Sequence, residues 1–144
     1  MPRQVIQPKG VWDPRRPEGH SAGTGLKGGS GRFAQVVKVG NTVFVSGQTP
    51  VDADGKGVGK GDIEVQARQV FENIKKCLEA AGATYDHVVK LNVYSTDIDA
   101  HLGAITRIRN DYFPREPVAS TYVQVPRLVH PDWLVEIEAI AVLG

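Results

Sequence analysis

The sharpest hydrophobic pattern in the chain lies at its C-terminus. In Val135–Leu143, alternate residues Val135, Ile137, Ala139, Ala141 and Leu143 share one face, while Glu136, Glu138, Ile140 and Val142 share the other. That is a strand, and both its faces need cover: the first is wholly apolar, and the second mixes aliphatic side chains with two carboxylates. A second strand precedes it, starting near Ser120 in the stretch PVASTYVQV, so Pro117–Gly144 predicts two strands joined by a loop. The same period of two recurs in FAQVVKVGNTVFVSGQ, from Phe33 to Gln48, where two Val- and Phe-rich runs break at Gly40-Asn41 as a hairpin does. It recurs again from Val88 to Ser95, where Val89, Leu91 and Val93 are expected on one face and Val88, Lys90, Asn92 and Tyr94 on the other.

Two stretches change to helical spacing. From Asp62 to Gly82, residues Val65, Val70, Phe71, Ile74, Cys77, Leu78 and Ala81 cluster on one face, with Asp62 as N-cap and Gly82 just past the end. From Asp97 or Asp99 to Phe113, residues Ile98, Leu102, Ile105, Ile108 and Tyr112 repeat in the same way, and Pro114 is expected to stop the helix. The order ββαβαββ predicts an α+β two-layer domain, one sheet with two helices on one face. The other face is left bare, so closed self-association is expected, with pockets where subunits meet.

The remaining segments are polar. Residues 1–32 mix prolines and glycines with scattered Lys and Arg, which predicts an arm with no regular element of its own. Trp12 is the exception: its indole is expected either to anchor the arm on the body or a neighbouring subunit, or to ride on a loosely held segment. Residues 33–144 form the single domain. The glycine-rich stretch Asp52–Asp62 is read as a solvated turn, because no Ser or Thr follows Lys60 as a phosphate loop requires.

Charge and composition narrow the function classes. Seventeen Lys and Arg against 16 Asp and Glu leave a formal charge of +1, so nothing pulls the chain toward nucleic acid or anionic lipid. No apolar run approaches a membrane span, and a soluble, cytoplasmic protein is expected. A single cysteine, Cys77, excludes an internal disulfide and falls on the buried side of its helix, as a packed thiol rather than a nucleophile. His20, His87, His101 and His130 have no metal-like spacing, and no nucleotide fingerprint or Gly-x-Ser-x-Gly elbow is present, so neither metal nor cofactor is expected.

Four short motifs then fall in one order: Val45-Ser46-Gly47-Gln48, Gln66-Ala67-Arg68-Gln69, Glu79-Ala80-Ala81-Gly82 and Val135-Glu136-Ile137-Glu138-Ala139-Ile140-Ala141. Together they resemble the Rid (YjgF) family from about Gly31 to Leu143. The resemblance implies a chorismate-mutase-like fold, homotrimers with the sheets facing inward, and small-molecule clefts between subunits. It also implies hydrolysis of enamines and imines, such as 2-aminoacrylate, to 2-oxo acids and ammonia.

Residue by residue, Glu136 matches the family's water-handling carboxylate, Ser46 and Gly47 match the pocket wall, and Thr121 stands where a small polar residue is usual. The arginine that clamps the substrate carboxylate in a Pro-x-Arg-Ser/Thr pattern is Ala119 here, in Pro117-Val118-Ala119-Ser120. Phe33 replaces the family's tyrosine and Thr106 its helical asparagine. Arg115, in the loop before the strand, and Arg107, on the second helix, are candidates to reach over the cleft, against the reading of each as a solvated surface residue. Arg109 is a further candidate, and Arg127 is too far along its strand to replace the clamp. The expected activity is hydrolysis at C=N bonds. The alternative is a trimer that binds a small metabolite without turning it over, and a ribonuclease activity has less support because the folded part carries no basic, aromatic-interleaved stripe.

Overall fold

In a computed structural model, residues 2–15, 33–113 and 116–144 are described. Six strands form one sheet: β1 (Arg3–Ile6), β2 (Val36–Val39), β3 (Thr42–Gln48), β4 (Val88–Ser95), β5 (Ala119–Gln124) and β6 (Val135–Val142), in the spatial order β1-β2-β3-β6-β4-β5. Two helices, α1 (Ile63–Ala80) and α2 (Ile98–Tyr112), pack on one face. The chain is α+β with a mixed sheet. β4 and β5 are the parallel pair, with α2 as their crossover, and the other neighbours run antiparallel.

The C-terminal strand takes a central place. β6 lies between β3 and β4, and its apolar face, Val135, Ile137, Ala139 and Ala141, is fully buried under the helices, as the alternation predicts. Helix α1 meets it with Val70, Phe71, Ile74, Cys77 and Leu78. The ends of α1 are built as the sequence predicts. Asp62 Oδ1 accepts from the amides of Glu64 and Val65, both at 3.1 Å. At the other end Gly82 takes φ of 79°, and the amides of Gly82 and Ala83 bond back to the carbonyls of Glu79 and Leu78 at 3.0 and 2.8 Å. That pair of bonds closes the helix in a Schellman motif. Asp97 caps α2 through Ala100 N at 3.0 Å. Pro114, expected to stop that helix, lies outside the described residues.

Three expectations are corrected. Part of the arm does form a regular element: Arg3–Ile6 pairs antiparallel with Val36–Val39, because an edge strand supplies the hydrogen bonds that a lone segment lacks. Val65 and Leu102 sit at helical spacing yet are 46% and 42% exposed, since each lies at the margin of its helix's apolar stripe. In β4 the register to β6 shifts between Val88 and Lys90, so Val88 is buried and Val89 faces out, reversing their predicted faces. The hairpin turns at Gly40-Asn41 as expected, with Gly40 taking φ of 56°.

Trp12 is anchored on the body. A Cβ at Gly55 would lie 2.7 Å from the indole, and Phe33 meets the ring edge-on at 6.3 Å between centroids. The Trp12 carbonyl accepts from Gln35 Nε2 at 2.9 Å, and Gln35 Oε1 accepts from Gln48 Nε2 at 2.7 Å. Both glutamines are buried, so the arm is tied to β3 through a polar chain shielded from water.

Candidate functional site

The sheet face turned away from the helices is a lattice of facing residues. Cross-strand partners share a face, so Val5, Val37, Phe44, Ile140, Lys90 and Ala119 form one row from β1 to β5. The next row runs Glu138, Asn92, Thr121, and the one after it Glu136, Tyr94, Val123. Apolar members of this face stand in the open: Val5, Phe44, Val123 and Val142 are each 40–49% exposed.

Glu136 and Gly47 meet. The register between β3 and β6 breaks after Val45, and Gly47 comes so close to β6 that a Cβ there would lie 2.6 Å from Glu136 Oε2. The missing side chain makes the space for the carboxylate. Burial, and secondly the nearby charge of Glu138, push the Glu136 carboxyl above its usual 4.5. Glu138 is held differently: its Oε1 accepts from Asn92 Nδ2 at 2.7 Å and from Tyr94 OH at 3.0 Å. That bond to Glu138 is the main reason the Tyr94 phenol is raised. Ser46 gives its hydroxyl to the Ala34 carbonyl at 2.5 Å, beside Phe33. Thr121 Oγ1 accepts from Lys90 Nζ at 3.0 Å. A cavity of about 290 Å³ opens on this face, lined by Phe44, Ser46, Lys90, Asn92, Glu138 and Ile140 among others.

The sequence-derived site residues are therefore only partly assembled in one chain. Glu136 and Gly47 touch, while Ser46 shares a cavity with Glu138 and with the Lys90 that holds Thr121. Ala119 is exposed at the sheet edge, two rows from Glu136; the register puts their Cα atoms roughly 16 Å apart. It also borders a cleft of about 530 Å³ with Tyr85, Tyr112, Phe113 and Glu116. Thr106 is half-buried on α2, in the helix layer across the sheet from Glu136, and Phe33 is 41% exposed against Trp12.

Nor do the candidate cations fill the place of the clamp within the chain. Arg107 pairs with Glu64 of α1. Arg127 donates to the carbonyls of its own loop, Leu128 at 3.0 Å and Val129 at 2.8 Å. Arg109 borders a surface pocket with Glu116, Pro117 and Val118, and Arg115 lies outside the described residues. The cation that does stand beside Ala119 is Lys90, which sequence reasoning did not single out. Its strand and face were legible from the alternation, but its adjacency to Ala119 depends on the pairing of β4 with β5.

Among the described residues, no group of three or more His, Cys, Asp or Glu is placed to hold a metal ion. Among the same residues, no helix is long and apolar enough to cross a membrane.

Residues 28–143 match the endoribonuclease L-PSP family. A RutC family protein of Pyrococcus abyssi is 42% identical over 111 residues, 77% of this chain and 86% of that protein. The 3-aminoacrylate deaminase RutC of Acinetobacter baylyi is 34% identical over 141 residues, 98% of each chain. Among solved structures, the Rid-family protein YyfA of Yersinia pestis superposes with a TM-score of 0.77 at 31% identity, covering 99% of this chain and 100% of that one. Sheet order, helix placement and these likenesses agree, and the chain belongs to the Rid (YjgF) family.

Proposed function

We propose that this protein is a homotrimeric hydrolase of small imines or enamines, with Glu136 handling the attacking water. The observation that carries the reading is the Glu136 carboxylate, buried against Gly47 on the open face and held above its usual 4.5 mainly by desolvation. A carboxylate of that kind is a better base than a solvated one. It takes a proton from water as the oxygen bonds to the C=N carbon, and the nitrogen gains a proton. The resulting carbinolamine loses ammonia to leave the carbonyl product. Likeness to a 3-aminoacrylate deaminase over nearly the whole chain supports the reaction class.

The same face supports trimerisation. Its exposed valines and Phe44 are more than a monomer usually leaves in water. The wide gap between Ala119 and Glu136 in one chain favours a cleft completed by a neighbouring subunit, with Ser46, Gly47 and Thr121 shaping its wall. A cytoplasmic, reducing setting suits the buried free thiol of Cys77.

The second reading, a trimer that binds a metabolite without turnover, is favoured by one observation: Ala119 stands where a carboxylate clamp would be. The two readings separate in one assay. Imines are generated by an amino-acid oxidase and trapped with semicarbazide, and the protein is expected to lower the trapped fraction. No effect across acidic, neutral and aromatic imines would leave only the binding reading, and unchanged activity in Glu136→Ala would remove Glu136 from its role.

A further inference from the structure

The missing guanidinium at position 119 leaves a question of charge, and the sheet register answers it. In the parallel pair of β4 and β5, Lys90 is the Cα partner of Ala119, so the two side chains lie side by side on the open face. Lys90 Nζ reaches along β5 to Thr121 Oγ1, at 3.0 Å, and lines the 290 Å³ cavity with Ser46, Asn92 and Glu138. Among the described residues, no carboxylate oxygen lies within 4.0 Å of the Lys90 ammonium. Glu138, the acid in the same cavity, has its Oε1 engaged by Asn92 and Tyr94 instead. The ammonium of this half-buried lysine thus has a hydroxyl on an exposed side chain as its partner.

We propose that Lys90 and Thr121 together hold the carboxylate of a small C=N ligand, in place of the arginine absent at position 119. Thr121 Oγ1 accepts from Lys90, which leaves its own proton free to donate. Ammonium and hydroxyl then offer two donors from adjacent strands to one carboxylate. Glu138, one strand over and one residue pair along from Lys90, lines the same cavity and suits the positive charge that a protonated C=N group carries. The pocket therefore selects a short dipolar molecule, anionic at one end and cationic at the other, as a 2-imino acid is. An ammonium acts as a point charge without the planar fork of arginine, so the site is less demanding of carboxylate geometry. The assignment rests on the ligand class proposed above and adds the group that recognises it.

The test uses pyruvate, the oxo acid that hydrolysis of a three-carbon imine releases, and pyruvamide, its uncharged counterpart. Both are titrated into the full-length, isotopically labelled protein and followed by NMR. Pyruvate is expected to give saturable shifts centred on Lys90 and Thr121, with pyruvamide at least about tenfold weaker. Lys90→Gln is expected to raise the pyruvate Kd by about tenfold or more and Lys90→Arg to keep it near the wild-type value. Thr121→Val gives an independent check should Lys90→Gln misfold, with a smaller rise expected. Equal binding of pyruvate and pyruvamide, no saturable pyruvate binding, or an unchanged Kd in Lys90→Gln or in Thr121→Val would each overturn the proposal. Imine turnover in the semicarbazide assay reports separately. Turnover with KM unaltered by Lys90→Gln removes the clamp and leaves the hydrolase; pyruvate binding through Lys90 without turnover does the reverse.

Discussion

Gly47 and Glu136 are fitted to one another: the carboxylate fills the space in which a Cβ on residue 47 would stand, 2.6 Å from Oε2. The clash is with the far end of a flexible side chain rather than with backbone. Gly47→Ala is therefore expected to fold, with thermal stability close to wild type, while its carboxylate is displaced. Imine hydrolysis should fall by about 10- to 100-fold, since misplacing a catalytic group by about 1 Å costs that much. Comparing melting temperature with activity in the semicarbazide assay checks both halves.

Glu136 also sets a pH dependence. Its carboxyl is raised above 4.5 by burial and by Glu138, so the folded chain keeps a proton that the unfolded chain has already lost. Stability from this group is therefore greatest below 4.5 and is lost as pH rises through the folded value. On the role proposed for Glu136, activity is expected to run the opposite way, because the base must be ionised: the acidic limb of the rate profile should lie above 4.5. Glu136→Gln should lower activity at every pH and flatten the corresponding change in denaturation midpoint with pH.

Gln66 holds three backbone groups at once. Its Nε2 donates to the carbonyls of Gly59 and Asp132 at 3.0 and 2.9 Å, and its Oε1 accepts from Leu134 N at 2.8 Å. At 1% exposure, no water replaces these bonds readily. Gln66→Leu, which fills the space but not the bonds, should cost about 2–4 kcal/mol in urea unfolding. A loss below about 0.5 kcal/mol would show that the loop before β6 relaxes to satisfy itself.

Cys77 is expected to be inert in the native protein. Burial alone pushes its thiol up to about 12, so almost none is thiolate at pH 8. Iodoacetamide should leave it unmodified in buffer and alkylate it fully in denaturant, as read by intact mass.

Much of this arrangement was legible along the chain because it depends on neighbours in sequence. The alternation from Val135 to Val142 assigned both faces of β6 correctly, and Asp62, Gly82 and Asp97 marked helix ends through bonds to residues two to five positions away. Other features arise between segments far apart in sequence, and no local period encodes them. The bulge that buries Val88 and exposes Val89 is set by pairing with β6, and the arm's strand exists only against β2. Gln66, Asn73 and Gln35 look like surface residues in the sequence, yet each is buried because loops and strands bring their carbonyls to it.

The sequence by itself determined the layers of this protein and the placement of its helices, because side-chain periodicity and capping are local physics. Only the tertiary structure decided which cation stands beside Ala119. That depends on β4 and β5 lying parallel with Lys90 opposite residue 119, a pairing of segments 29 residues apart that backbone hydrogen bonds create and no spacing along the chain reveals.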